Sequence, residues 1–222
     1  MADRPILFSA PMIRALLAGH KTQTRRIQAE GVSMAGSIDH SSGKPIAIDA
    51  TAWDRRWPVK TKYAIGDRLW VREAWSGRYE WREMTPSGRV ASGSPLARET
   101  WYWADGEPTS GDWELPRPSI HMPRPFSRIT LTVTDVRVQR LQDISEADAV
   151  AEGIERLKSG RGFYDPVANK GAVRLGQYFT SAIDAYAHLW DSINGEGAWD
   201  ANPWVAAYTF TVQHRNIDQV AA

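Results

Sequence analysis

Residues 19–26, "GHKTQTRR", bring together side chains that could do chemistry near the start of the chain. A threonine hydroxyl becomes a good nucleophile once a base removes its proton. A lysine can act as that base when burial or neighbouring cations lower its pKa, and Lys21 has Arg25 and Arg26 close by in the sequence. The segment therefore predicts either a catalytic group built on Lys21 and Thr24 or a binding site for a polar ligand. A solvated turn is the competing interpretation of the same residues.

A catalytic group of this kind would also need a carboxyl group to pass a proton to a leaving amine. Glu73 in "VREAW" and Glu152 in "AVAEGI" lie at the ends of predicted elements, where functional residues are often found. The residues alone do not choose between them. Glu152 could equally be a charge on the face of a helix, paired with Arg156.

The alternation of residues 21–27 predicts a strand with two different faces. One face carries Lys21, Gln23 and Arg25, and the other carries Thr22, Thr24 and Arg26. The two candidate catalytic residues, Lys21 and Thr24, would therefore meet only if the chain twists where it enters the strand.

Alternation and capping signals predict the elements that must position this segment. Further strands are expected at residues 66–75, 127–141 and 205–213. Helices are expected at residues 9–18, 145–153 and 176–194. Residues 28–62 and 77–118 show no clear period and are interpreted as two long loop insertions. The chain is expected to form one mainly β domain with some α, over residues 1–222.

Two of the predicted helices carry specific signals. Ser145 followed by Asp148 resembles a capping box at the start of residues 145–153. The helix predicted at residues 176–194 has an apolar stripe that is expected to pack in the core. The stripe consists of Phe179, Ile183, Tyr186, Trp190 and Ile193.

Composition and motifs exclude several classes of protein. The 222 residues, 42% of them hydrophobic, include no cysteine and no apolar run near the roughly 20 residues of a membrane helix. The start of the chain lacks the pattern of a signal peptide, so a cytoplasmic protein is expected. The five histidines are scattered without metal-binding spacing, and neither a phosphate loop nor a dinucleotide fingerprint is present. No metal and no cofactor are therefore expected.

The charge pattern leaves a nucleic-acid interface open. The net charge of +1 argues against a surface that coats nucleic acid. Residues 1–28 and 116–140 each nevertheless carry five cations against a single carboxylate, and together they could form one basic patch. Eleven tryptophans could stack on bases, although anchoring of irregular loops is the role expected for most of them.

Four segments together resemble ASCH-domain proteins of the PUA-like superfamily, and in particular their larger phage- and prophage-encoded branch. They are "RPILFSAPMIRALLAGHKTQTRR", "GDRLWVREAW", "RPSIHMPRPFSRITLTVTDVRVQRLQDISEADAVAEGI" and "LWDSINGEGAWDANPWVAAYTF". The resemblance spans the chain apart from parts of the two insertions. It implies a curved β-barrel flanked by short helices, with a cleft that binds RNA or a modified base.

The resemblance also implies an activity. Some short ASCH proteins are amidohydrolases that remove the acyl group from N4-acetylcytidine and related N4-acylcytosines. Their motif, Gly-x-Lys-Thr-x-Thr-x-Arg, is complete here as Gly19, Lys21, Thr22, Thr24 and Arg26. In those enzymes the lysine, the second threonine and a glutamate of a later helix are taken as catalytic. The corresponding positions here are Lys21, Thr24 and Glu152.

The sequence thus predicts an amidohydrolase of N4-acylated cytosine bases or nucleosides, in a chain about twice as long as those enzymes. Phe8 is expected to stack on the base, and Arg26 to position the base or stabilise the oxyanion. Thr22 and Glu73 complete the predicted substrate-binding residues. The alternatives are a non-catalytic module that binds RNA or modified nucleic acid and a metal-independent ribonuclease. The expected partners are a modified nucleoside or RNA, without a membrane, and the oligomeric state is left open.

Overall fold

A computed structural model describes residues 1–28, 30–52, 54–166 and 178–220 of the chain. These residues form two compact units, and each unit is discontinuous in sequence. Unit 1 contains residues 1–18, 67–132 and 212–222, and unit 2 contains residues 19–66 and 133–211. The prediction of a single domain over residues 1–222 stays a prediction.

Short strands dominate the described residues, and the helices are few. The strands are β1 (Asp3–Leu7), β2 (Gln23–Ile27), β3 (Ala35–Asp39), β4 (Ile46–Asp49), β5 (Arg56–Pro58), β6 (Arg68–Arg72), β7 (Trp75–Gly77), β8 (Thr100–Tyr102), β9 (Thr130–Arg140), β10 (Glu155–Arg156), β11 (Phe163–Tyr164) and β12 (Trp204–Gln213). The α-helices are α1 (Ala10–Leu17), α2 (Pro86–Ala91), α3 (Glu146–Ala151) and α4 (Ala182–Asn194). This composition confirms the α+β class. None of the described helices has both the length and the apolar character that crossing a bilayer requires.

Unit 1 is built around β6. This strand pairs in parallel with β1 and antiparallel with the start of β9. Further along, β7 pairs with β8, and a small core forms from Trp75, Met122 and Phe126. The predicted insertion at 77–118 contains α2 and β8, so its interpretation as a loop is only partly correct. It is anchored by the buried side chain of Arg89, which donates two hydrogen bonds to Glu114 at 2.7 and 3.1 Å.

Unit 2 holds the strands and helices that surround the candidate site. β2 pairs antiparallel with β12, and α3 and α4 pack together in one hydrophobic core. Ser145 caps α3, because its hydroxyl accepts a hydrogen bond from the Asp148 amide at 3.1 Å. Ser181 caps α4 in the same way, through the amide of Asp184.

The main sheet is open in the described residues. Its strand order is β1-β6-β9-β12-β2, and within the described part of the chain no pairing joins the first of these strands to the last. The curved barrel implied by the ASCH resemblance is therefore not confirmed. Closure depends on pairing between strands far apart in sequence, which the alternation within each strand does not determine.

The prediction that residues 28–62 form a long loop is wrong. They contain β3, β4 and β5, which form a three-stranded antiparallel sheet. These strands are only three to five residues long, and β3 includes glycine and aspartate, which are poor strand formers, whereas β4 contains two isoleucines. Such short strands need pairing with their neighbours to be stable.

The helix predictions are confirmed for α1 and α3 and need correction for α4. The last helix begins at Ala182 rather than at residue 176, and residues 176 and 177 lie outside the described residues. Of its predicted core stripe, Tyr186 and Trp190 are buried, whereas Ile193 is 50% exposed. Ile193 lies in the last turn, beyond the part of the helix that the core covers.

Candidate active site

The chain enters β2 through a turn that follows α1. Gly19 has φ of 74°, a left-handed conformation that favours glycine and ends the helix. The amide of Thr22 then donates a hydrogen bond to the carbonyl oxygen of Ala151 at 2.8 Å. This contact fixes the entry to β2 against the last turn of α3, so the motif of residues 19–26 lies beside the helix that carries Glu152.

Lys21 is completely buried and its partner is Glu152. Its Nζ donates to the Glu152 carbonyl oxygen at 2.7 Å and to Oε2 of the same residue at 2.8 Å. Glu152 is the residue that ends α3, where the helix has unsatisfied carbonyl oxygens and the negative end of its dipole. A cation is favourable at that position, and Lys21 supplies it from a place 131 residues away in the sequence. The solvated interpretation of Lys21 is therefore wrong.

Arg25 holds the other oxygen of the same carboxylate. Its Nη1 donates to Glu152 Oε1 at 3.0 Å, and its Nη2 donates to Asp148 Oδ2 at 3.2 Å. Its guanidinium also donates to the side chain of Gln23 and lies over the ring of Tyr186, 5.9 Å from the ring centroid. The side chain of Arg25 has no exposed area. Two buried cations, Lys21 and Arg25, therefore orient the Glu152 carboxylate, one at each oxygen.

Burial sets the ionisation of these groups. It lowers the pKa of Lys21, and the charges of Arg26 and Arg25 act in the same direction, while the Glu152 carboxylate opposes them. Burial also raises the pKa of the Tyr186 hydroxyl, with a further contribution from Glu152. A lysine whose pKa is lowered is a better general base near neutral pH than an exposed one.

Asp148 connects the buried groups to the surface. Its carboxylate accepts hydrogen bonds from Arg25, Gln23 and the half-buried Arg137. Burial alone would raise the pKa of Asp148, but the hydrogen bond and charge of Arg137 and the charge of Arg25 together hold it below its ordinary value. Asp148 and Glu152 are four residues apart, which places both carboxylates on one face of α3.

Thr24 is buried within β2 and lies directly opposite Tyr208 of β12. Gln23 and Arg25 point to the α3 face, because both donate hydrogen bonds to the carboxylate of Asp148, each at 3.2 Å. By alternation, Thr24 faces the other side of the strand, with Tyr208. The structure therefore brings Lys21 and Glu152 into contact and gives Thr24 a neighbouring place on the opposite face of β2.

The predicted substrate-binding residues are divided between the units. Thr22 is exposed and Arg26 is half-buried, both in unit 2. Phe8 and Glu73 are buried in unit 1. Glu73 is held by Arg128 through two hydrogen bonds of 2.9 and 3.0 Å, and its burial raises the pKa of its carboxyl group against the charge of Arg128.

Sequence reasoning did not select four residues of this site. They are Gln23, Arg25, Asp148 and Tyr186. A signal existed for three of them: the alternation of β2 puts Gln23 and Arg25 on the face of Lys21, and Asp148 precedes Glu152 by one helical turn. Tyr186 was predicted only as a core residue of α4.

Comparison with models of known protein families, with curated proteins and with solved structures finds no match for this chain. The resemblance to ASCH-domain proteins therefore rests on the sequence segments themselves. In the part of the chain that the structure describes, no group of three or more histidine, aspartate or glutamate side chains is arranged to hold a metal ion.

Proposed function

We propose that this protein is an ASCH-type amidohydrolase that removes the acyl group from N4-acylated cytosine bases or nucleosides. The observation that supports the proposal is the contact between Lys21 and Glu152. These are two of the three residues that the resemblance implies to be catalytic, and Nζ lies 2.8 Å from Oε2 although the residues are far apart in sequence. Burial lowers the pKa of Lys21, which suits this lysine to accept a proton, and the carboxylate of Glu152 lies directly beside it.

In the proposed mechanism Lys21, in its neutral form, takes a proton from the attacking hydroxyl group. The attacking oxygen adds to the acyl carbon, and the bond from that carbon to N4 breaks as the amine leaves with a proton delivered through Glu152. Arg26 stabilises the oxyanion or positions the base. The products are a free carboxylic acid and the unmodified cytosine. No cofactor takes part.

The attacking oxygen has two candidate sources. Thr24 Oγ attacks in the first version, and water then releases the acyl group from the threonine. Water attacks directly in the second version, and Thr24 only orients it. Thr24 lies on the face of β2 opposite Gln23 and Arg25, so in either version the chain must twist at the entry to β2 for its hydroxyl group to act together with Lys21. Intact-mass analysis of enzyme quenched during turnover distinguishes them, because only the first version adds an acyl group to the protein.

The charges of the chain argue against the nucleic-acid-binding alternative. Several cations of the basic segments are paired with carboxylates: Arg25 bonds to Glu152, Arg128 to Glu73 and Arg137 to Asp148. We therefore favour chemistry on a small substrate over the binding or cleavage of RNA.

Ultraviolet absorbance during incubation with N4-acetylcytidine tests the proposal, because removal of the acetyl group changes the chromophore. Wild-type protein and the exposed control variant Lys44→Met should both produce cytidine. Lys21→Met should lose activity by at least about a hundredfold, the usual contribution of a general base. Circular dichroism should establish that the variant is folded. No turnover of N4-acetylcytidine or N4-benzoylcytidine by the wild type, or full activity of folded Lys21→Met, would contradict the proposal.

A further inference from the structure

Arg25 occupies a position for which the family resemblance implies no role. It stands at a variable position of the motif Gly-x-Lys-Thr-x-Thr-x-Arg, and the mechanism proposed above does not use it. Its side chain nevertheless has no exposed area and reaches the carboxylates of both Asp148 and Glu152. Burial of a charge is unfavourable in itself, so this cation calls for a physical explanation.

The Glu152 carboxylate is shared by two cations of different chemistry. Lys21 Nζ lies 2.8 Å from Oε2, and Arg25 Nη1 lies 3.0 Å from Oε1. A lysine can release its proton, whereas a guanidinium keeps its charge in proteins. Arg25 therefore stays positively charged whatever the protonation state of Lys21.

Loss of the Lys21 proton would leave Glu152 without a counter-charge if Arg25 were absent. As a general base, Lys21 must be neutral before it accepts a proton, and the side chain of Glu152 is only 4% exposed. A buried carboxylate without a partner is strongly unfavourable. Because Arg25 is bonded to Oε1, the carboxylate keeps a cation when Lys21 is neutral, and the neutral form of Lys21 becomes easier to reach.

The contacts of Arg25 hold it at this carboxylate independently of Lys21. Its Nη2 donates to Asp148 Oδ2 at 3.2 Å, its Nη1 also donates to the side chain of Gln23, and its guanidinium lies over the ring of Tyr186. The strand β2 and the helices α3 and α4 each contribute one of these contacts. The guanidinium is therefore already in place before Lys21 changes its charge.

Other charged and titratable groups surround Lys21 and Glu152 within unit 2. They are Arg26 of β2, Asp148 of α3 with Arg137 of β9 bound to it, Tyr186 of α4, and Glu155 of β10, which pairs with His20. Burial lowers the pKa of Lys21 most, and the charges of Arg26 and Arg25 act in the same direction, against that of Glu152. Arg25 adds to its charge a hydrogen bond to the carboxylate that the neutral lysine would leave.

We propose that Arg25 is a positioning residue of this site, which neutralises Glu152 at Oε1 and so allows Lys21 to work without its proton. The role of Lys21 as a base rests on the proposed function. The electrostatic relation among the three side chains rests on their contacts, and it can be measured without a substrate.

Nuclear magnetic resonance of protein labelled with ¹³C at lysine Cε measures the pH at which Lys21 loses its proton. The chain has six lysines, and the signal of Lys21 is the one missing from Lys21→Met. In the wild type it should titrate at lower pH than the exposed lysines, because burial lowers its pKa. Arg25→Gln keeps an amide donor but removes the charge, and it should move this midpoint to higher pH by about one pH unit. The exposed control Arg161→Gln should leave the midpoint unchanged.

Hydrolysis of N4-acetylcytidine provides the functional readout. The acidic limb of kcat/KM against pH reports the base of the free enzyme, and in Arg25→Gln it should move to higher pH by the same amount as the midpoint. A purely structural role of Arg25 would lower activity at every pH and leave the limb in place. Arg25→Lys keeps a positive charge and should return the limb toward its wild-type position.

A charge-balanced pair of variants keeps the test available if Arg25→Gln does not fold. Arg25→Gln/Asp148→Asn removes one buried charge of each sign, and relative to Asp148→Asn alone it should show the same upward shift of the Lys21 midpoint. An unmoved midpoint in folded Arg25→Gln or in this pair would overturn the inference. An equal shift in Arg161→Gln, or a wild-type Lys21 that titrates with the exposed lysines, would also overturn it.

The two readouts separate this inference from the proposed function. A midpoint that moves in protein without any hydrolysis of N4-acetylcytidine would refute the activity and leave the electrostatic role of Arg25 standing. Hydrolysis that depends on Lys21, with an unmoved midpoint in Arg25→Gln, would do the reverse.

Discussion

Replacing Glu152 with glutamine removes the carboxylate that the two buried cations of the site share. Lys21 Nζ and Arg25 Nη1 lie 2.8 and 3.0 Å from its oxygens, and the side chain of Glu152 is 4% exposed. Glutamine has nearly the same shape, but its amide nitrogen must face one of the two donors. The variant therefore leaves a buried positive charge without its counter-charge. It also places the amide NH2 group of the glutamine against a hydrogen-bond donor of Lys21 or Arg25.

The size of the loss follows from what remains. Breaking a buried ion pair from one side costs about 3–5 kcal/mol. Lys21 keeps the Glu152 carbonyl oxygen, and Arg25 keeps Asp148 and Gln23, so the lower end applies. We expect the free energy of unfolding to fall by about 3 kcal/mol, which is a shift of about 1 M in the urea midpoint for an m-value near 3 kcal/mol/M.

Urea unfolding followed by tryptophan fluorescence measures this loss. Glu196→Gln is the matched control, because Glu196 is an exposed glutamate of the same unit and its substitution should change stability by less than about 0.5 kcal/mol. The double variant Lys21→Met/Glu152→Gln should lose less than the sum of the two single variants, since one interaction is counted twice. A loss below about 1 kcal/mol for Glu152→Gln, with an unchanged m-value, would refute the ionic description of the cluster.

Two further changes have defined outcomes. Gly77→Ala should destabilise unit 1 by about 1–3 kcal/mol, as overpacking of a core does. The added Cβ would lie 1.7 Å from Arg89 Nη1, which is itself hydrogen-bonded to Glu114. Thermal unfolding measures this loss of stability, and an unchanged midpoint would contradict the close packing of Gly77 against Arg89. Asp148→Asn should lower the free energy of unfolding at neutral pH but have less effect at acidic pH. The pKa of Asp148 is lowered below 3.8 in the folded protein, so its contribution is present above that pH and is lost as the pH falls through the folded pKa. The gap between wild type and variant in urea midpoint should therefore narrow below pH 3.8, and a constant gap would show that Arg137 and Arg25 do not stabilise the carboxylate.

Local signals were sufficient for the elements around the site. The helix that ends at Gly19, the cap at Ser145 and the alternation of β2 depend on neighbours a few residues apart, and the structure confirms all three. The alternation of β2 also indicated correctly that Gln23 and Arg25 share one face. Lys21 and Glu152 were paired beforehand only through the family resemblance, because spacing within the sequence carries no information about a contact across 131 residues.

Tertiary structure alone decided the rest. The short strands β3, β4 and β5 depend on pairing with one another, because three to five residues are too few to form a stable strand alone. The sheet stays open in the described residues, and the periodicity within each strand does not determine which strands pair at its edges. Lys21 looked like a solvated lysine in a polar segment, and only packing against α3 removed it from water. Burial, counter-charge and strand pairing are properties of the folded chain, whereas helix caps and strand periodicity belong to the sequence itself.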